Sequence, residues 1–135
     1  MRRIDVFFYG LFMDEDVLRA KGVMAMDVRH AFVSGFQLRI GNRATLVPTQ
    51  SARVFGRVAL LSHTELEQLY SEPGLQAYRP EAVLAQLANG ETVAALCFNL
   101  VEPPSLQERN PEYAARLRAL AQRLDFPSEY VASIV

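Results

Sequence analysis

The chain has 135 residues, a length that suits one domain with one sizeable core and leaves too little for two. Hydrophobic residues make up 50% and charged residues 21%, which excludes a disordered tail, and a formal net charge of -1 excludes a global field drawing the protein onto nucleic acid or an anionic membrane. Any charge-driven partner must therefore be met by a local patch.

Cys97 is the only cysteine and lies in an apolar stretch, so neither an intrachain disulfide nor a multi-cysteine metal site can form, and a reducing compartment such as the cytoplasm is expected. Arg2 and Arg3 open the chain, but Asp5 and the Tyr9-Gly10 pair interrupt anything that could serve as the apolar core of a signal peptide. No apolar run is long enough to span a membrane. Lys21 is the only lysine among many arginines, which reads as coding bias.

Residues Ile4 to Tyr9 are apolar and aromatic and stop at Gly10, which predicts a buried strand ending in a loop. Asp14, Glu15 and Asp16 then place negative charge at the start of a short helix that runs to about Lys21 and closes at Gly22. From Val28 to Leu61 the pattern predicts a meander of short strands, Arg29 to Val33, Phe36 to Ile40, Ala44 to Val47 and Val54 to Leu61, punctuated by Ser34-Gly35, Gly41-Asn42 and Pro48. Ser62 with Glu65 three residues on is a capping box for a brief helix bearing Leu66 and Leu69 on one face, ending at Ser71-Glu72-Pro73-Gly74. Tyr78 to Leu87 and Thr92 to Leu100 flank Asn89-Gly90, a hairpin signal because both residues tolerate positive φ. Beyond Pro103-Pro104, Asn110 as N-cap and Pro111 at the first helical position launch a helix with Tyr113, Leu117, Leu120 and Leu124 as its apolar stripe. A last short helix or turn from Pro127 to Ile134 is expected to pack back. Strands crowded in the middle with helices at the ends predict a single α+β domain over residues 1–135, with a closed barrel as one way to arrange the strands.

His30 and His63 are isolated and read as surface or capping residues; no metal-ligand pair, G-x-S-x-G or P-loop is present. What remains is Phe7-Phe8-Tyr9-Gly10-Leu11-Phe12-Met13-Asp14, where a strand empties into a glycine loop before a helix and presents unpaired N–H groups suited to a carboxylate or phosphate. The second feature is Leu69-Tyr70-Ser71-Glu72-Pro73-Gly74, a carboxylate in a tight turn among apolar neighbours; if the turn folds inward, desolvation raises the pKa of Glu72 towards the range of a general base. A third feature competes: Val28 to Thr64 has no acidic residue, and Arg29, Arg39, Arg43, Arg53 and Arg57 interleave with Phe32, Phe36 and Phe55, a pattern that would suit single-stranded nucleic acid if arginines and rings shared a face. The slightly negative overall charge argues against that use.

Taken together, Tyr9-Gly10 after an aromatic strand, Leu69 and Glu72 after a short helix, Tyr78 opening the next strand, Asn110-Pro111-Glu112-Tyr113 and Phe126-Pro127-Ser128-Glu129-Tyr130 resemble the γ-glutamyl cyclotransferase family, including its plant-type and bacterial relatives. The resemblance runs through nearly the whole chain, in order. It implies a small, mixed but mainly antiparallel β-barrel with flanking short helices, acting without metal or cofactor on a small-molecule γ-glutamyl substrate, as a monomer or weak homodimer, with neither nucleic acid nor membrane as partner. It also implies release of 5-oxoproline, with Glu72 as general acid/base and Phe8, Tyr9, Gly10, Leu11, Phe12, Tyr78 and Tyr113 as the substrate-binding residues. Leu11 stands where the family usually has a hydroxyl residue, and Tyr70 replaces the family's aspartate. The alternative on the same fold is a non-catalytic module that binds an anionic metabolite.

Overall fold

The computed structural model describes residues 2–135. Its strands are β1 (Arg3–Phe8), β2 (Met26–Ile40), β3 (Ala44–Ser62), β4 (Tyr78–Leu87) and β5 (Thr92–Leu100). The α-helices are α1 (Glu15–Ala20), α2 (His63–Leu69), α3 (Pro111–Arg123) and α4 (Ser128–Ser133), with one 3-10 turn at Leu11–Met13. The strands close into a barrel in the order β1-β3-β2-β4-β5. Every strand pair is antiparallel except β1 with β5, joined in parallel at Val6 and Leu96. The barrel and flanking helices match the expected architecture.

Side chains alternate across a strand, and β1 uses both of its faces. Phe7 and Tyr9 point into the barrel with Val33, Val54, Val58, Ala85 and Cys97, while Val6 and Phe8 point outward to Leu18, Leu66, Leu69, Leu117 and Leu120 under the helices. That double burial explains why this stretch reads as a continuous apolar run instead of an alternating one. Room inside the barrel is limited where β1 crosses β3. A Cβ on Gly56 would stand 2.2 Å from the Phe8 carbonyl oxygen and 2.7 Å from the Phe7 ring.

The meander differs from expectation: four short strands are two long ones of 15 and 19 residues. Ser34-Gly35 does not end β2 but forms a bulge, with the register against β3 shifting between Ser34 and Phe36 and Gly35 at φ +87°. Pro48 stays within β3 because its stretch faces only β2; β1 takes up β3 later, from Arg57 to Ser62. The hairpin β4–β5 forms as predicted, although its turn bonds Gly90 N–H to Leu87 O and Leu87 N–H to Glu91 O, and Gly90 alone takes positive φ.

Helix signals fared better, since they are local hydrogen bonds. Asp14 accepts from Asp16 N–H to cap α1, and Ser62 and Glu65 exchange the two bonds of a capping box on α2. Asn110 accepts from Tyr113 N–H to cap α3. The buried face of α3 is Ala114, Leu117, Leu120 and Ala121, rotated from the expected stripe so that Tyr113 turns toward the barrel mouth and Leu124 lies at the margin. The C-terminal segment packs back as expected: Phe126 and Tyr130 meet Phe55 at 6.2 and 5.1 Å between ring centroids, and Ile134 is buried. His30 is exposed, edge-on to Phe126, and His63 is the exposed first residue of α2.

Gly56→Ala tests the crowding at this crossing. With a backbone oxygen in the way, the substitution is expected to destabilise the protein by roughly 1–3 kcal/mol, read as a lower denaturation midpoint. An unchanged midpoint would show that β1 and β3 can part without cost.

Candidate active site

The end of β1, the turn after α2, the start of β4 and the first turn of α3 surround one cavity of about 500 Å³. All eight residues singled out in the sequence line it: Phe8, Tyr9, Gly10, Leu11, Phe12, Glu72, Tyr78 and Tyr113. They come together because β1, β4 and β5 are neighbours in the barrel while α2 and α3 cover the same side.

At the β1 exit, the 3-10 turn bonds Met13 N–H to Gly10 O and Asp14 N–H to Leu11 O, leaving the N–H groups of Leu11 and Phe12 outside the turn's own ladder. The Leu11 N–H meets the Tyr113 hydroxyl, which restrains a phenol pKa otherwise raised by burial. That hydroxyl lies so close over Gly10 that a Cβ there would stand 2.6 Å from it. Glycine is needed at position 10 for this approach.

Three tyrosines serve the wall in different ways. Tyr9 donates to the Phe98 carbonyl at 2.7 Å and Tyr78 donates to the Ala44 carbonyl, so both hydroxyls are committed to the barrel. Tyr70 stacks on Phe98 with centroids 4.0 Å apart and planes 15° apart, and takes the edge of Phe12 at 5.9 Å. Burial pushes all three phenols above their ordinary pKa. Their hydroxyls stay protonated at neutral pH.

Glu72 departs from the setting expected for it. The turn, tied by Leu75 N–H to Glu72 O at 3.0 Å, brings the residue to the cavity rim without folding it into an apolar interior. Its side chain is 40% exposed, and Oε1 lies 2.5 Å from Lys21 Nζ. A second tie fixes this pair: Gln68 Nε2 donates to Lys21 O at 2.9 Å, holding the end of α1 against α2.

Sequence reasoning missed Lys21, Arg43, Phe98 and Arg116, all of which line the cavity. That Lys21 is the sole lysine was a visible signal, and Arg43 stood out only within the arginine-rich stretch; Phe98 and Arg116 carry none, because their approach depends on barrel closure. Of the basic aromatic pattern, Arg53 shares a face with two rings, while Arg29, Arg39 and Arg57 have other partners. Arg53 lies over Phe32 and Phe55 at 4.9 and 5.2 Å, Arg29 pairs with Asp5, Arg57 pairs with Glu15, and Arg39 donates to the Pro104 carbonyl. A shallower depression, lined by Asp14, Glu15, Asp16, Arg19, Arg57 and Arg123, is closed by ion pairs among its own residues. Among the described residues, no group of three or more His, Cys, Asp or Glu could hold a metal, and no helix is long and apolar enough to cross a membrane.

Comparison with solved structures finds the same fold. A structure titled "Gamma-glutamyl cyclotransferase" aligns with a TM-score of 0.81 at 18% identity, covering 99% of this chain and 89% of that one. An uncharacterized protein from Homo sapiens aligns at 0.80 and 20% identity, covering 100% and 89%. An AIG2-like protein from Mus musculus aligns at 0.59 and 15% identity, covering 83% and 91%. Comparison with curated proteins finds no significant match. The family described as "Gamma-glutamyl cyclotransferase, AIG2-like" matches the sequence over residues 6–117, from within β1 to within α3, and the chain belongs to that family.

Proposed function

We propose that this protein is a γ-glutamyl cyclotransferase that releases the γ-glutamyl group of a small-molecule substrate as 5-oxoproline, with Glu72 as general acid and base. The observation that supports this reading best is the meeting of Glu72 with the Gly10-Leu11 amides and Tyr113 in one cavity. Family membership supports the reaction class independently.

The chemistry is intramolecular. The substrate's α-amine nitrogen attacks its own γ-carbonyl carbon, the new C–N bond closes a five-membered lactam, and the original amide C–N bond breaks. The α-ammonium gives up two protons in becoming the lactam N–H; Glu72 carries them one after the other to the departing nitrogen, which leaves as an ammonium, so atoms and charge balance without water. Holding the glutamyl chain in a cyclic conformer supplies acceleration through effective molarity, which suits a cavity walled by Phe8, Phe12, Tyr70, Tyr78 and Phe98. The N–H groups of Leu11 and Phe12 bind the α-carboxylate or polarise the γ-carbonyl as negative charge develops there. Tyr113 orients the substrate through its hydroxyl, and Lys21 orients the Glu72 carboxylate. Cys97 takes no part: it is buried inside the barrel, and burial pushes its thiol up to about 12. An inert thiol suits a reducing compartment such as the cytoplasm.

The deciding measurement is 5-oxoproline release from γ-glutamyl dipeptides, glutathione and γ-glutamylamines. Native protein is expected to release it, and Glu72→Gln to lower kcat about 10²–10⁴-fold while keeping the native circular dichroism spectrum and melting behaviour. Full turnover in that variant would sink Glu72 as the base. No release by folded native protein would leave a ligand-binding module in place of the enzyme.

Tyr113→Phe removes one hydroxyl and leaves the ring. It is expected to lower kcat/KM about tenfold, the scale of one lost hydrogen bond in a dry site. An unaffected kcat/KM would mean that the hydroxyl only fills space over Gly10.

A further inference from the structure

Resting on the cyclotransferase reading, we propose that Asn110 is a positioning residue for the reaction: it ties the tip of the β2–β3 hairpin to the first turn of α3 and so seats the Tyr113 hydroxyl at the Leu11 N–H. The need for such a tie begins in the sheet. Among the described residues, β4 pairs with β2 only at residues 31–33 and β1 pairs with β3 only at residues 57–62. The outer half of the hairpin, residues 36–40 against 44–48, therefore has no third strand beside it. It leaves the barrel at a break in the ladder, where Gly35 stands opposite residues 49–52, and both Gly35 and Ser51 take positive φ, +87° and +62°.

Contacts outside the ladder must set where the tip lies. Below it, Tyr78 donates to the Ala44 carbonyl and Leu100 N–H donates to Thr45 Oγ1 at 2.9 Å. The tip itself, Gly41-Asn42-Arg43, is held by the segment between β5 and α3. Pro104 packs so closely on Gly41 that a Cβ there would stand 2.4 Å from the Pro104 Cβ. Glu108 Oε1 accepts from Asn42 N–H at 3.1 Å, and its Oε2 accepts from Ser105 N–H at 2.9 Å.

Asn110 takes the other backbone group of Asn42. Its Nδ2 donates to the Asn42 carbonyl at 3.1 Å, while its Oδ1 accepts from Tyr113 N–H at 3.1 Å. One amide thus bridges two walls of the cavity, the tip that carries Asn42 and Arg43 and the helical turn that carries Tyr113. Serine or aspartate would cap α3 about as well. Of the residues that cap well, asparagine alone adds a donor to the capping oxygen. What the bridge controls is the Tyr113 ring, whose hydroxyl meets the Leu11 N–H and lies over Gly10. A shift at the start of α3 is carried to that contact by a rigid ring, and rates are sensitive to misplacement of this kind.

The test compares Asn110→Asp and Asn110→Ser with native protein. Both keep a capping oxygen, so native melting behaviour is expected, and both lack the donor to Asn42. Each is expected to lower kcat for 5-oxoproline release about three- to tenfold, the scale of one hydrogen bond, with a smaller change in KM. In a Tyr113→Phe background the same substitutions are expected to cost less than about twofold more, because the hydroxyl they act through is already gone. Hydrogen exchange gives a readout independent of turnover: the Leu11 amide is expected to exchange about tenfold faster in both variants, while the Leu117 and Leu120 amides of α3 keep their native rates. Native kcat in both variants overturns the proposal and leaves the cyclotransferase reading standing. So does a loss of equal size with and without the Tyr113 hydroxyl, or an unchanged Leu11 exchange rate. A native protein that releases 5-oxoproline from no substrate overturns the cyclotransferase reading itself and this proposal with it.

Discussion

Because side chains alternate along a strand, β1 must satisfy two cores at once, and the rest of the molecule is arranged around that requirement. Phe7 and Tyr9 fill the barrel; Val6 and Phe8 anchor the helical layer. The strand can be buried on both sides only if β3 and β5 flank it, and they do, closing the barrel through the parallel contact of Val6 with Leu96. Gly56 completes the arrangement by leaving β3 without a side chain where β1 passes closest. With β1 fixed this firmly, its exit is fixed too. The Gly10-Leu11 amides inherit their place from core packing, which is the rigid support that a site built on backbone donors requires.

Charge is divided along the same lines. Ion pairs on the helical side, such as Arg57 with Glu15 and Arg123 with Asp14, tie α1 and α3 to the barrel and leave no net field there. Around the cavity the balance differs, since Glu72 and Lys21 neutralise one another and Arg43 and Arg116 do not pair. The wall between these charges is aromatic and its hydroxyls are neutral, while Glu72, Arg43 and Arg116 themselves reach solvent at the rim. The cavity thus separates its groups spatially, with aromatic rings in the middle, the Glu72–Lys21 pair at the rim, and Arg43 and Arg116 in its lining.

The sequence was legible where the determining interaction is local. Capping boxes and N-caps announced α2 and α3 because donor and acceptor lie three residues apart. Asn89-Gly90 announced the hairpin for the right reason at Gly90 and the wrong one at Asn89, whose φ is ordinary. Ser34-Gly35 and Pro48 misled, because the same residues end a strand or bulge it according to which neighbours pair beside them, and pairing is a property of the whole sheet. The aromatic-to-glycine strand exit and the turn glutamate were visible as motifs. Lys21 stood out only as the sole lysine and Arg43 only as one arginine of a basic stretch, and nothing in their segments or in that of Arg116 says which distant loop they face.

One contact at the β1 exit sets the terms on which any ligand enters. The Leu11 N–H already meets an acceptor, the Tyr113 oxygen resting above Gly10. A ligand oxygen that uses this donor must exchange places with the phenol, so its affinity reflects the difference between two acceptors and not the full strength of a new bond. A neutral carbonyl gains little by that exchange. A carboxylate, or an oxygen acquiring negative charge as a bond forms, gains considerably more. The phenol therefore acts as a reference against which incoming oxygens are compared, and it biases the site toward charge that is present or developing over charge that is absent.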